Sequence, residues 1–155
     1  MRNYSKLLQP LKEWMERRGD SCEYDMSQKT PMLHGEISLP DAGADRMVLM
    51  EVFPVPYGDD TVLLQYFTTM TTPVEGPGMN AVRKAADEWN MSAGIGAYCI
   101  YGEPPYLYHR HTLALDTSLV DTVGDQLAME AAYTIVDEVT RRLPEAIELL
   151  NPPTE

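Results

Sequence analysis

Across residues 79–115 the spacing of apolar side chains changes from a helical repeat to a strand repeat, which limits the chain to folds that pack a helix against antiparallel strands. Val82, Ala85, Ala86 and Trp89 stand three and four residues apart. One face of this helix is therefore apolar, and Arg83, Lys84, Asp87 and Glu88 occupy the other. Asn80 is placed to cap its start. Asn90 and Gly94 take positive φ most readily, and they are placed to end the helix and turn the chain into a strand over 95–101. The Gly102-Glu-Pro-Pro segment breaks that strand, and 106–115 returns with alternating polarity.

Upstream, Tyr4, Leu7, Leu8, Leu11, Trp14 and Met15 predict an amphipathic helix over 4–18, ended by Gly19. Pro10 must kink that helix or begin its better-formed part, because proline removes a backbone donor and clashes with the preceding turn. The polar residues through Pro31 read as a loop holding at most one short strand around 22–26. Leu33, Gly35, Ile37 and Leu39 alternate with His34, Glu36 and Ser38, which predicts a strand with one wet face. The run MVLMEVF within 46–55 is apolar on both sides and predicts a central strand; 61–70 supplies the next, and the short links imply an antiparallel meander. The breaker cluster 71–78, with Pro73, Gly76 and Pro77, reads as a connector within one domain. Asp116, Thr117 or Ser118 is placed to cap a long helix carrying Val120, Val123, Leu127, Ala131, Ile135, Val139 and Leu143 on one stripe. Pro144 should kink or restart it, and the tail from Asn151 should fray. The expectation is one α+β domain over 1–155 with a five-stranded antiparallel sheet, in the order α-β-β-β-α-β-β-α, and helices covering one face.

Twelve Lys and Arg against 24 Asp and Glu give a net charge of -12, which argues against nucleic acid and anionic membrane surfaces as partners. No apolar run approaches the roughly 20 residues of a membrane span, and no leader pattern opens the sequence, so a cytoplasmic location is expected. Cys22 and Cys99 are far apart and in no CxxC spacing, which excludes a disulfide framework or a four-cysteine zinc site and leaves one pairing open. Ten Met, nine Tyr and two Trp are enough adaptable or amphipathic apolar groups to fill a core or to line a binding surface.

His109 and His111 lie two apart on a strand and so share a face, where neutral imidazoles can bind a metal if His34, Glu36 or Cys99 adds a third ligand. Leu107, Leu113 and Leu115 have the same parity, which reads instead as a half-buried or interfacial face. The carboxylate pairs Asp59/Asp60, Asp87/Glu88 and Glu36/Glu51 are what 24 acidic residues produce by abundance and read as solvated charge. Ser92 and Ser118 lack the glycines of a nucleophile elbow, Cys99 reads as a small core residue, and no GxxxxGK[ST] loop occurs. Neither catalysis nor a cofactor is expected. The aromatic set Tyr98, Tyr101, Tyr106 and Tyr108 supplies groups favoured at interfaces, or else packs beneath the long helix. Tyr106 and Tyr108 share their strand face with Arg110, and Trp89, Tyr98, Tyr106 and Tyr108 are the residues assigned to partner or dimer contact.

The helix ending Glu88-Trp89-Asn90, the small-residue strand after it and the strand ending Leu113-Ala114-Leu115-Asp116, in an acidic small chain, resemble the type III secretion chaperone-like fold and within it the YbjN-like proteins. The chain departs from that pattern at Pro104-Pro105, where a short polar turn is usual. The resemblance implies a homodimer that binds a polypeptide or another protein and catalyses nothing, with no catalytic residues to carry over. The competing reading is a metal- or small-ligand-binding protein using His109 and His111.

Overall fold

A computed structural model describes residues 4–27, 30–71 and 73–151; the expected frayed tail at 152–155 lies outside the described residues. Helix α1 (Gln9–Arg17) follows a 3-10 turn, and Pro10 sits in its first turn, where the missing amide donor costs nothing. Gly19 (φ 82) closes it in a left-handed cap: its N–H donates to Glu16 O at 3.0 Å, and that of Asp20 to Met15 O at 3.0 Å. Strands β1 (Ser21–Asp25), β2 (Met32–Ser38), β3 (Met47–Tyr57) and β4 (Thr61–Thr69) follow, then α2 (Met79–Asn90), β5 (Ala97–Tyr101), β6 (Tyr106–Asp116) and α3 (Gly124–Leu150). All strand pairs are antiparallel, in the spatial order β1-β2-β3-β4-β6-β5.

The sheet therefore has six strands, and the five-stranded α-β-β-β-α-β-β-α expectation is corrected to α-β-β-β-β-α-β-β-α. The additional strand is β1, which falls where the polar stretch through Pro31 allows one short strand around 22–26. Its Cys22 and Tyr24 pack against the core, while Glu23 pairs with His34 on the other face. Two such side chains in a five-residue edge strand are too few to register as an alternating pattern.

The helices cover one face of the sheet. Leu33, Met50, Val52, Leu64, Tyr66 and Leu107 point beneath them and are fully buried, and the Tyr66 hydroxyl donates to Ala128 O of α3 at 2.7 Å. The alternating burial of β3 over 47–55 and of all of β4 records this one-sided cover.

Two helix ends differ from expectation. Asp116 caps only a 3-10 turn over Thr117–Leu119, its Oδ1 accepting from the Ser118 backbone N–H at 2.8 Å and hydroxyl at 2.7 Å; α3 begins later, at Gly124. Gly124 is buried where a Cβ would lie 2.9 Å from Leu7 Cδ2, so the helix starts at a close approach. Pro144 does not restart α3, which continues to Leu150 with the proline exposed. Helix α2 starts after Gly78 without a side-chain cap, so Asn80 lies inside it.

Candidate functional site

The β5–β6 hairpin holds nearly all the residues singled out from the sequence, and strand alternation sends them to opposite sides of the sheet. In register, Tyr98 pairs with His109 on the helix-covered face, and Cys99 pairs with Tyr108 on the open one. Trp89 and Tyr98 therefore lie in the core at 4% and 3% exposure. They contact each other edge to face with centroids 5.2 Å apart. Tyr106 and Tyr108, half-buried, lie on the open face. Of the four residues assigned to association, only these last two can touch a partner in this conformation.

Beneath the hairpin is a charged cluster that the sequence reading did not identify. Glu138 of α3 is 1% exposed. Its Oε2 accepts from the Tyr98 hydroxyl at 2.7 Å and from Arg142 Nε at 3.3 Å, and its Oε1 accepts from the Gly94 N–H at 2.9 Å. Burial works against the charged form, but these three donors and the Arg142 charge outweigh it and hold the carboxyl below its ordinary value. The Tyr98 phenol is pushed far up, by burial first and then by the carboxylate it faces. Arg142 also lies over the Trp89 ring at 5.9 Å, and Trp89 Nε1 donates to Glu145 Oε2 at 3.2 Å.

Asn90, the last residue of α2, completes the latch. Its Oδ1 accepts from the Tyr98 backbone N–H at 2.6 Å and its Nδ2 donates to Tyr98 O at 2.9 Å, so a side chain occupies the outer edge of β5 where a further strand would pair. The Trp89-Asn90 pair thus ties α2 to the core and to the sheet edge together. One signal for Glu138 was in the sequence: it stands seven residues after Ala131 and three after Ile135, inside the apolar stripe of α3.

His109 and His111 share the helix-facing side, as their spacing required, together with Leu107 and Leu115. His109 is fully buried, and its Nε2 lies 2.7 Å from Ile95 O; a carbonyl can only accept, which assigns the proton to Nε2. Burial pushes the pKa of both imidazoles down, partly offset at His109 by Ile95 and Glu138. His34, Glu36 and Cys99 lie on the opposite face of the sheet, so none can join the two histidines around one metal. Among the described residues no group of three or more His, Cys, Asp and Glu side chains is placed to hold a metal. Cys22 and Cys99 are free, on opposite edge strands and opposite faces.

The open face carries the second aromatic group. Phe53 stacks on Phe67 with centroids 5.9 Å apart, Phe67 meets Tyr108 edge-on at 6.2 Å, and Tyr106 lies 6.2 Å from Tyr108. Arg110 lies over Phe67 at 4.9 Å, and among the described residues it has no carboxylate within 4.0 Å. Leu49, Val55 and Leu63 extend this surface, all half-buried with no helix above them. No model of a known family and no curated protein matches the sequence. No helix among the described residues is long and apolar enough to cross a membrane.

Proposed function

We propose that the chain is a non-enzymatic protein-binding protein, chaperone-like or regulatory, that works as a homodimer through the open face of β3, β4 and β6. The observation that carries this reading is the continuous aromatic and aliphatic surface built by Leu49, Phe53, Leu63, Phe67 and Tyr108 on the side of the sheet that no helix covers. A surface of that kind, mixed with Arg110, Glu51 and Tyr106, is enriched in the aromatic residues and arginine that interfaces favour. The resemblance to YbjN-like, type III secretion chaperone-like proteins points the same way, toward a polypeptide partner and no catalysis. The occupant assigned to the face is a second copy of this chain.

The test is to replace Tyr106 and Tyr108 together with Ser and measure mass in solution by light scattering and native mass spectrometry. Both side chains leave the core untouched, so circular dichroism should be unchanged while the dimer dissociation constant rises by at least tenfold. An unchanged mass for a folded double variant, or a wild type that is monomeric at micromolar concentration, refutes the reading.

A further inference from the structure

The register of the open face contains a self-complementary arrangement, and it rests on the dimer reading above. Glu51 pairs with Phe67, and Phe67 pairs with Arg110, so an acid, an aromatic ring and a base stand in one row across three adjacent strands. We infer that two copies pack their open faces about a twofold axis parallel to the strands and passing over Phe67, with Glu51 of each copy against Arg110 of the other.

The geometry follows from the row. A twofold lying between two facing sheets and along their strands exchanges left for right across the sheet and leaves position along the strand unchanged. Phe67 then meets its own copy, and Glu51 on one side of it meets Arg110 from the other side. The rows above and below obey the same operation. Leu49, Thr69 and Tyr108 form one row, so Leu49 meets Tyr108 of the second copy; Val55, Leu63 and Ala114 form another, so Leu63 meets itself and Val55 meets Ala114. In these rows apolar positions fall on apolar ones, with Thr69 on its own copy; in the row of Phe53, Gln65 and Thr112, Phe53 meets Thr112 and Gln65 meets itself, and in the Phe67 row Glu51 falls on Arg110.

Charge also selects this axis. A twofold through the same point but perpendicular to the strands leaves left and right in place, which sets Glu51 against Glu51 and Arg110 against Arg110. Like charges in a closing interface oppose association, so that arrangement is disfavoured where the first is favoured. Either axis keeps the strands of the two sheets nearly aligned, which is how sheets pack face to face, so charge is what separates them. Arg110 already lies over Phe67 and has no carboxylate within 4.0 Å among the described residues, which leaves its guanidinium free for one from the second copy. Glu51 is held from the other side by His34 Nδ1 at 3.1 Å from Oε2, which orients the carboxylate and still leaves Oε1 open. The face is large enough: six strands of between five and eleven residues, rising ~3.3 Å per residue and spaced ~4.8 Å, present roughly 750 Å², close to the ~800 Å² per partner of a standard interface.

The test uses charge reversal at two positions and mixing. Glu51→Arg places two bases in each contact and Arg110→Glu two acids, so each single variant should raise the dimer dissociation constant at least 100-fold. The double variant Glu51→Arg/Arg110→Glu should recover the dimer. The two single variants, each monomeric alone, should form a heterodimer when mixed, because each then meets its complement at both contacts. Phe67→Asp, checked for folding by circular dichroism, should be monomeric under either axis. A monomeric Phe67→Asp, with a double variant and a mixture that also stay monomeric, overturns the paired row and leaves the open-face dimer standing. Dimeric, folded Phe67→Asp, or a monomeric wild type, overturns both.

Discussion

Replacing Glu138 by alanine should be among the most damaging single substitutions in this protein, although the residue is an acid in a chain already rich in acids. In the native state its two oxygens take the Tyr98 hydroxyl, the Gly94 N–H and Arg142 Nε, all within 3.3 Å, at 1% exposure. Alanine leaves the buried Tyr98 hydroxyl only the longer contact to the backbone O of residue 138, at 3.3 Å, and leaves Arg142 without its counter-charge. Hydrogen bonds to a charged group contribute ~1.5–3 kcal/mol each, and an orphaned buried polar group costs ~1–3 kcal/mol. Gly94 is exposed and its N–H can turn to water, which lowers the sum, so the expected loss is about 3–4 kcal/mol, within the range for breaking a buried pair from one side. For a domain of this size that lowers the melting temperature by roughly 6–16 °C. Glu138→Gln keeps the volume and an acceptor for Gly94 but turns an NH2 toward Arg142, so about 1–2 kcal/mol is expected. Urea titration followed by circular dichroism measures both, with Glu145→Ala as a control that removes only the Trp89 Nε1 contact. The pH dependence supplies a second readout. The native carboxyl lies below its ordinary value, so its contribution is complete above that value and fades as pH falls through the lowered one; Glu138→Gln should remove that part of the acid limb. A loss below about 1 kcal/mol for the alanine variant, or equal losses for Ala and Gln, would show that the carboxylate does not organise the hairpin.

His109 is buried neutral, so the unfolded chain takes up its proton first as pH falls. Stability should therefore be complete above the ordinary imidazole value and decline below it by up to about 1.4 kcal/mol per pH unit, a slope that His109→Gln should flatten in urea titrations between pH 6.5 and 5. His111, shifted the same way, adds a smaller slope that survives in that variant, and an unchanged slope there would refute the argument. Gly96 and Gly58 share φ +66, but a Cβ at Gly96 would lie 2.5 Å from Arg110 O and 2.7 Å from His109 Cε1, whereas Gly58 has nothing within 4 Å. Gly96→Ala should thus cost more than about 2 kcal/mol and Gly58→Ala about 1 kcal/mol, and equal melting temperatures for the two would contradict the close approach.

Periodicity alone placed the three helices, five of the six strands and the shared face of His109 and His111, because those depend on neighbours within a few residues. It also marked β3 as apolar on both sides. That feature was read as a central position in the sheet, and it serves equally for an open face that is itself apolar. The short strand allowed around 22–26 could not be counted into the sheet from the sequence, because its pairing with β2, rather than its own composition, makes β1 a strand. The start of α3 escaped because Asp116 forms a good local cap wherever it stands; here it caps a 3-10 turn, and α3 begins at Gly124, which packs closely on Leu7.

The amino-acid sequence by itself determined which side chains share a face, since that follows from the repeat of a helix or strand. Only the tertiary structure decided which face is covered. Tyr98 and Tyr108 are equally aromatic and sit in partner strands; one is buried beside Glu138 and the other lies open beside Phe67, because the helices pack on one side of the sheet and leave the other. The row Glu51, Phe67 and Arg110 has the same origin. Its members are separated by 16 and 43 residues along the chain, and only the hydrogen-bonded registers of β3 with β4 and β4 with β6 set them side by side.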